Sequence, residues 1–286
     1  MAEDIVPYLS GHFRSDVLQE ALQATRTITD MENRASATII LVSHLSALER
    51  NEILKWITHA IKKIENTSSR ERIIRPLVPL LAKFGYHEDA VAIVPEIWDV
   101  NERASVLGDL ALQLVELGYP EKAQEVAQML VKIEINKGWE LARARDLIDI
   151  SISLVKSGYF EEALNTSQII NGEWNQAEAL ANISLEMGRM GYVKEAFIVA
   201  RKIEYQHWRT EALTKLAAEL EMLPINILYP LWIESLPVLT TRSRKNLLND
   251  LIVLGPVITA LGGSRAKDSL FSAIQDVGHW WPESVN

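Results

Sequence analysis

The stretch QAEALANISLEMGRMGYVKEAFIVARKI, residues 176–203, reads as two amphipathic helices joined by a tight turn at Gly191-Tyr192. Counted back from Gly191, Leu180, Ile183, Ser184 and Met187 fall on one helical stripe, the i, i+3, i+4, i+7 pattern of a helix with one buried face. Gly191 can take a positive φ without steric cost and so end the first helix. Ala196, Val199, Ala200 and Ile203 then form a second stripe, with small residues where the two helices would cross.

The same pattern recurs position by position at Gly85, Gly118 and Gly158, and each of these glycines is followed by tyrosine: Tyr86, Tyr119 and Tyr159. Before the turns stand Ile74, Leu77, Val78 and Leu81; Leu107, Leu110, Ala111 and Leu114; and Leu147, Ile150, Ser151 and Leu154. After them stand Ala90, Ile93, Val94 and Ile97; Ala123, Val126, Ala127 and Leu130; and Ala163, Thr166, Ser167 and Ile170. The glycines are 33, 40 and 33 residues apart. Helix-turn-helix units at a period near 34 are the mark of tetratricopeptide-like repeats, so the expected fold is all-α, a right-handed α-solenoid.

Composition agrees with this reading. Hydrophobic residues make up 48% of 286, and the 13 glycines and 10 prolines fall mostly at turns, as in a helical protein. A solenoid grows by stacking, so this length needs no division into separate cores. The net charge of −9 argues against nucleic acid as a partner, because such a surface needs clustered Lys and Arg. With no cysteine, disulfides, zinc ribbons and thiol catalysis are excluded. The first residues lack the order of a secretory signal. The apolar run Leu251 to Leu261 is broken by Gly255 and Pro256 and is shorter than the roughly 20 residues of a membrane span. The expectation is a soluble, cytoplasmic protein with no membrane partner.

Along the chain, residues 1–33 read as an N-terminal half-repeat or cap, 34–204 as tetratricopeptide-like repeats, and 205–286 as divergent repeats with a C-terminal cap. In the opening part, Asp16 to Ile28 looks like the second helix of a unit, with Ala21, Leu22 and Thr25 inward. Two explanations stand: an atypical solenoid end, or a chain cut from something longer. The first full pair is expected to turn at Leu48 to Asn51, with Asn51 as N-cap of the next helix. Leu213, Leu216, Ala217 and Leu220 mark a further first helix. Pro230 and Pro237 suggest that Ile225 to Leu239 is broken or curved. A last pair is expected at Arg242 to Leu261 and Ser264 to Val277, turning at Gly262. Trp280 and Trp281 would close the open end of the stack or dock a partner.

No residue set points to catalysis, a cofactor or a metal. The six histidines show no HExxH spacing, and no phosphate-binding loop or nucleophile elbow occurs. Glu161-Glu162 follow a turn, where negative charge suits a helix start. Trp98, Trp139, Trp174 and Trp208 recur near the starts of first helices, in keeping with packing between repeats or a repeated aromatic surface. In tetratricopeptide-like stacks the first helices line the concave wall. Outside the packing stripe they carry Arg72, Arg75 and Lys83; Asp109, Leu112 and Glu116; Arg145, Ile148, Asp149, Ile152 and Lys156; and Asn182, Leu185 and Arg189. This mixture of apolar and alternating charge suits a protein or peptide ligand with acidic and apolar residues, and a solvated face has the same look.

The middle of the chain resembles tetratricopeptide repeats in its small first-helix residue (Ala111, Ser151, Ser184) and its GYxxxA turn with Ala90, Ala123, Ala163 and Ala196. It lacks the proline that usually closes each repeat. A narrower likeness runs from EALQATRTITDMENRA through the EALANISLEMGRMGYVKEAFIVARKI unit to RKNLLNDLIVLGPVITALGG and AIQDVGHWWP. These segments resemble the C-terminal repeat region of bacterial signal-transduction NTPases of the STAND class. The resemblance implies a sensor or scaffold without catalysis of its own, working with an NTPase or effector domain in the same or another chain. No nucleotide site carries over, since no NTPase segment is present. The alternative from the residues is an assembly adaptor that oligomerises or docks through its end faces.

Overall fold

A computed structural model describes residues 11–134 and 138–280. Among these residues there is no strand, and the chain is an all-α solenoid. Backbone contacts divide it into two units, 1–150 and 151–286. The first holds α1 (Gly11–Thr27), α2 (Met31–Leu41), α3 (Ala47–Ile61), α4 (Thr67–Lys83), α5 (His87–Ile93), α6 (Val100–Glu116) and α7 (Pro120–Lys132). Helix α8 (Glu140–Lys156) contains the boundary. The second unit continues with α9 (Phe160–Gln168), α10 (Glu173–Arg189), α11 (Val193–Ala200), α12 (Gln206–Leu220), α13 (Ile225–Thr240), α14 (Arg244–Val253) and α15 (Gly255–Trp280).

Packing is between neighbours. In the first unit α4 lies against its own partner α5 and against the first helices α2 and α6. In the second, α10 lies against α11 and α12, and α12 against α14. Each pair thus buries one face within itself and another against the next pair, which is how a repeat with too little core of its own becomes stable.

The four Gly-Tyr turns are the same object. Gly85, Gly118, Gly158 and Gly191 have φ between 83° and 87°. In each, the tyrosine N–H bonds back to the carbonyl five residues earlier, on Leu81, Leu114, Leu154 and Met187, at 2.8–2.9 Å. The glycine N–H bonds to the residue three before it at 2.8–3.1 Å. This is a Schellman ending, which satisfies carbonyls that the helix terminus leaves open. The tyrosine carbonyl then accepts the N–H of Ala90, Ala123, Ala163 or Ala196, each fully buried. GYxxxA therefore encodes one helix stop, one helix start and one crossing point. The inward stripes read from the sequence are buried in all four copies, Leu180 alone being half-buried.

Three local expectations are corrected. Helix α3 starts at Ala47 rather than after Asn51: the Ser46 side chain accepts the Glu49 N–H while Glu49 accepts the Ser46 N–H, a capping box. Ser46-Ala47-Leu48-Glu49 spells that signature, and Asn51 lies within the helix. Of the two alternatives for Ile225 to Leu239, broken or curved, the first is excluded, since helix α13 is continuous across Pro230 and Pro237. Both prolines and the residues four before them, Asn226 and Ile233, are exposed, so the carbonyls that lose a partner face water. Conversely, Arg242 to Leu261 is not one helix. The chain bends by 76° between α14 and α15, where Pro256 has no N–H and Leu254 caps the Asp250 and Ile252 carbonyls instead. The expected turn after Leu261 is present within α15 as a kink at Gly263, φ 66°.

No single helix among the described residues is long and apolar enough to cross a membrane, although α14 and α15 taken together as a bent pair reach the length and composition.

Candidate partner-binding surface

The first-helix face in the first unit is built on α4. Arg72 and Arg75 stand one turn apart, with side chains 68% and 64% exposed. Arg72 pairs with Glu32 of α2, and Arg75 pairs with Glu102 of α6 at 2.6 Å. Beside them the Glu71 carboxylate accepts the Trp98 and Asp99 N–H groups at 2.8 and 2.9 Å. Glu71, Arg72, Arg75, Asp99 and Glu102 line an open cleft of about 470 Å³. The arginines expected to meet a ligand thus already bridge adjacent repeats. Such exposed pairs contribute about 0–1 kcal/mol, so a ligand carboxylate can displace one at small cost.

Further along, exposed Arg145 on α8 makes no ion pair among the described residues. Its neighbour Asp146 is half-buried, with its Cγ only 3.3 Å from where a Cβ would sit on Gly108 of α6. Gly108 thus gives the carboxyl room between α6 and α8. Burial, followed by the negative charges of Asp109 and Asp149, pushes the Asp146 pKa up to about 6. A carboxyl raised in this way adds stability that is complete below its unfolded pKa near 4 and is lost as pH rises through about 6. Asp146→Asn is therefore expected to stabilise the protein at pH 7.5 by on the order of 1–3 kcal/mol. It should also flatten the melting temperature between pH 4.5 and 7.5, which thermal unfolding monitored by circular dichroism checks.

In the second unit Ile152 and Lys156 lie one turn apart on α8, half-buried and exposed respectively. Leu185 and Arg189 repeat that arrangement on α10, with Arg189 paired to Glu186 at 2.9 Å. Each unit thus presents its expected residues on first helices. Trp280 ends α15, and Trp281 lies outside the described residues.

The tryptophans divide. Trp174 of α10 packs edge-on to Tyr205 and Trp208 of the next repeat at 4.8 and 5.4 Å and stacks on His207 at 5.7 Å, which is packing between repeats. Trp98 and Trp139 are 76% and 48% exposed.

One recurrent device was missed in the sequence. The fourth residue of a first helix reaches back to the carbonyls that end the preceding repeat. Arg103 bonds to Ile97 O, Arg143 to Val131 and Ile133 O, Gln176 to Gln168 and Ile170 O, and Arg209 to Ile203 and Glu204 O. The signal was present, since these residues precede Gly118, Gly158, Gly191 and Pro224 by the same 15 positions. Arg209 adds a buried ion pair to Asp250 of α14 at 2.9 Å, both side chains 1% exposed.

No family model and no curated protein matches the chain. Solved structures similar to it include Ton1535 from Thermococcus onnurineus NA1, at 14% identity and TM-score 0.33 over 90% of this chain and 97% of that one. Another is a circular tandem repeat protein with novel repeat topology and enhanced subunit contact surfaces, at 14% identity and TM-score 0.34 over 96% and 84%.

Proposed function

We propose that this solenoid is a protein- or peptide-binding module, a sensor or scaffold without catalysis of its own, that recognises segments carrying both carboxylates and apolar side chains. The observation that carries this reading is the composition of the first-helix face. Exposed Arg145, Lys156 and Arg189 stand on the same helices as half-buried Ile152 and Leu185, so cations that can steer an acidic segment lie beside apolar surface that can hold it. The resemblance of the repeats to the C-terminal region of STAND-class NTPases supports a place in bacterial cytoplasmic signalling. The natural partner is then an NTPase or effector domain, in the same chain or another. Binding would act by favouring one arrangement of the repeats over another, which requires different affinity for the two.

The test is fluorescence anisotropy with labelled peptides of alternating acidic and apolar residues, beside basic counterparts. Acidic peptides should bind with an affinity that falls as salt is raised, and Arg145→Glu with Arg189→Glu should abolish binding at unchanged helicity. Equal binding of acidic and basic peptides would refute this reading.

A further inference from the structure

At the start of the first unit, α1, α2 and α3 surround a pocket of about 210 Å³. Its floor is apolar. Leu22 belongs to a buried cluster with Leu18, Leu41 and Leu45, against which Ile53 packs, and Trp56 adds a wall. Buried Thr25 and Thr38 also face the pocket, but their hydroxyls donate to the Leu22 and Arg34 carbonyls of their own helices at 2.8 and 2.6 Å. Recognition therefore falls to the charged residues of the lining, Arg26, Arg34 and Glu52.

Arg34 is an exception among the repeats. It is the fourth residue of the first helix α2, as Arg70, Arg103, Arg143, Gln176 and Arg209 are of α4, α6, α8, α10 and α12. Those five are all engaged. Arg70 pairs with Glu96 at 2.8 Å, and the other four hold backbone carbonyls. The Arg34 side chain makes no hydrogen bond or ion pair among the described residues, and its guanidinium instead lies 4.5 Å from the centre of the Trp56 ring. That contact holds the planar cation at the pocket wall with its N–H donors unfilled. Arg26, in the last turn of α1, also has no hydrogen bond or ion pair among the described residues. The nearby Glu49 carboxylate is already held by Ser46 and Gln19.

We infer that this pocket binds a small organic monocarboxylate, with its carboxyl group between Arg26 and Arg34 and its apolar part against Leu22, Ile53 and Trp56. Guanidinium forks match a planar carboxylate. Two arginines and one glutamate leave a single positive charge, which balances one carboxylate, whereas a phosphate dianion is repelled by Glu52. The volume sets the size, since it lies below the roughly 300–1,000 Å³ of sites for drug-sized ligands. No lining residue is shared with the arginine cleft on α4 or with the cations of α8 and α10, so the site goes beyond peptide recognition and does not depend on it. An occupant ties α1 to the first helix pair and stabilises that end of the chain by mass action.

Isothermal titration calorimetry on the full chain tests this, with phenylacetate, benzoate and hexanoate as probes beside neutral phenylacetamide and inorganic phosphate. At least one of the three acids should bind at one per chain, with an affinity that falls as salt is raised, and the amide and phosphate should not. Arg34→Gln and Arg26→Gln should each weaken binding roughly tenfold or more, whereas Glu52→Gln should tighten it. Arg26 is exposed, so its replacement leaves the fold intact even if Arg34→Gln does not, and circular dichroism checks both. Failure of all three acids to bind, binding that survives both arginine replacements, or equal binding of the amide or of phosphate would overturn the inference. So would binding seen only after Glu3→Gln with Asp4→Asn, which would assign the pocket to the chain's own carboxylates.

Discussion

Asp250→Ala is expected to lower the stability of the second unit by about 3–5 kcal/mol, the cost of leaving a buried charge without its partner. The Arg209 guanidinium is fully buried and cannot shed its proton. In the intact protein its Nε lies 2.9 and 3.0 Å from the two Asp250 oxygens, while Nη1 reaches the Ile203 and Glu204 carbonyls. Removing the carboxylate strands the cation between α12 and α14. The pair as a whole is a different matter. Burial outweighs the help from Arg209 and holds the Asp250 carboxyl above its ordinary pKa, so ionising it inside the protein has a net cost. Arg209→Met with Asp250→Leu is therefore expected to recover most of the loss, as apolar replacements of buried pairs do. Urea unfolding followed by circular dichroism measures both. A loss below about 1 kcal/mol for Asp250→Ala would mean that the pair behaves as an exposed one.

Leu114→Ala is expected to cost about 2–5 kcal/mol, the range for truncating a buried leucine and leaving a cavity. Leu114 stands four residues before Gly118, and the equivalent residues are Leu81, Leu154 and Met187, all at most 3% exposed. Repeat equivalence adds a sharper expectation. Because Met187 fills the same place in another copy, Leu114→Met should cost less than about 1.5 kcal/mol. The contrast between the two substitutions, read from urea midpoints, distinguishes a packed repeat position from a generic buried site. Similar costs for both would deny the equivalence.

The repeats were legible in the sequence because their signals are local. A glycine that must take positive φ, a buried alanine five residues later and two apolar stripes are sufficient to write a helix pair, and four copies reinforce one another. The start of α3 is set by the Ser46/Glu49 box, which satisfies two backbone N–H groups at once and so outcompetes Asn51, a cap residue by type alone. Proline was an uneven guide. At Pro230 and Pro237 the helix continues, whereas at Pro256 the chain bends, although Ile252, four residues before Pro256, is itself 74% exposed. Of the candidate site, the residue types and their helices were readable. The pairing of Arg72 with Glu32 and of Arg75 with Glu102 was not, because those partners stand 40 and 27 residues away and meet only through stacking.

The measurement that tests the central claim most directly is affinity capture from a native cytoplasmic extract, comparing the intact protein with an Arg145→Glu, Arg189→Glu version of verified helical content. The account predicts a stoichiometric partner that is retained by the intact protein, eluted by salt and lost by the charge-reversed version. The same partner captured equally by both versions would contradict it and point to the end faces of an assembly adaptor.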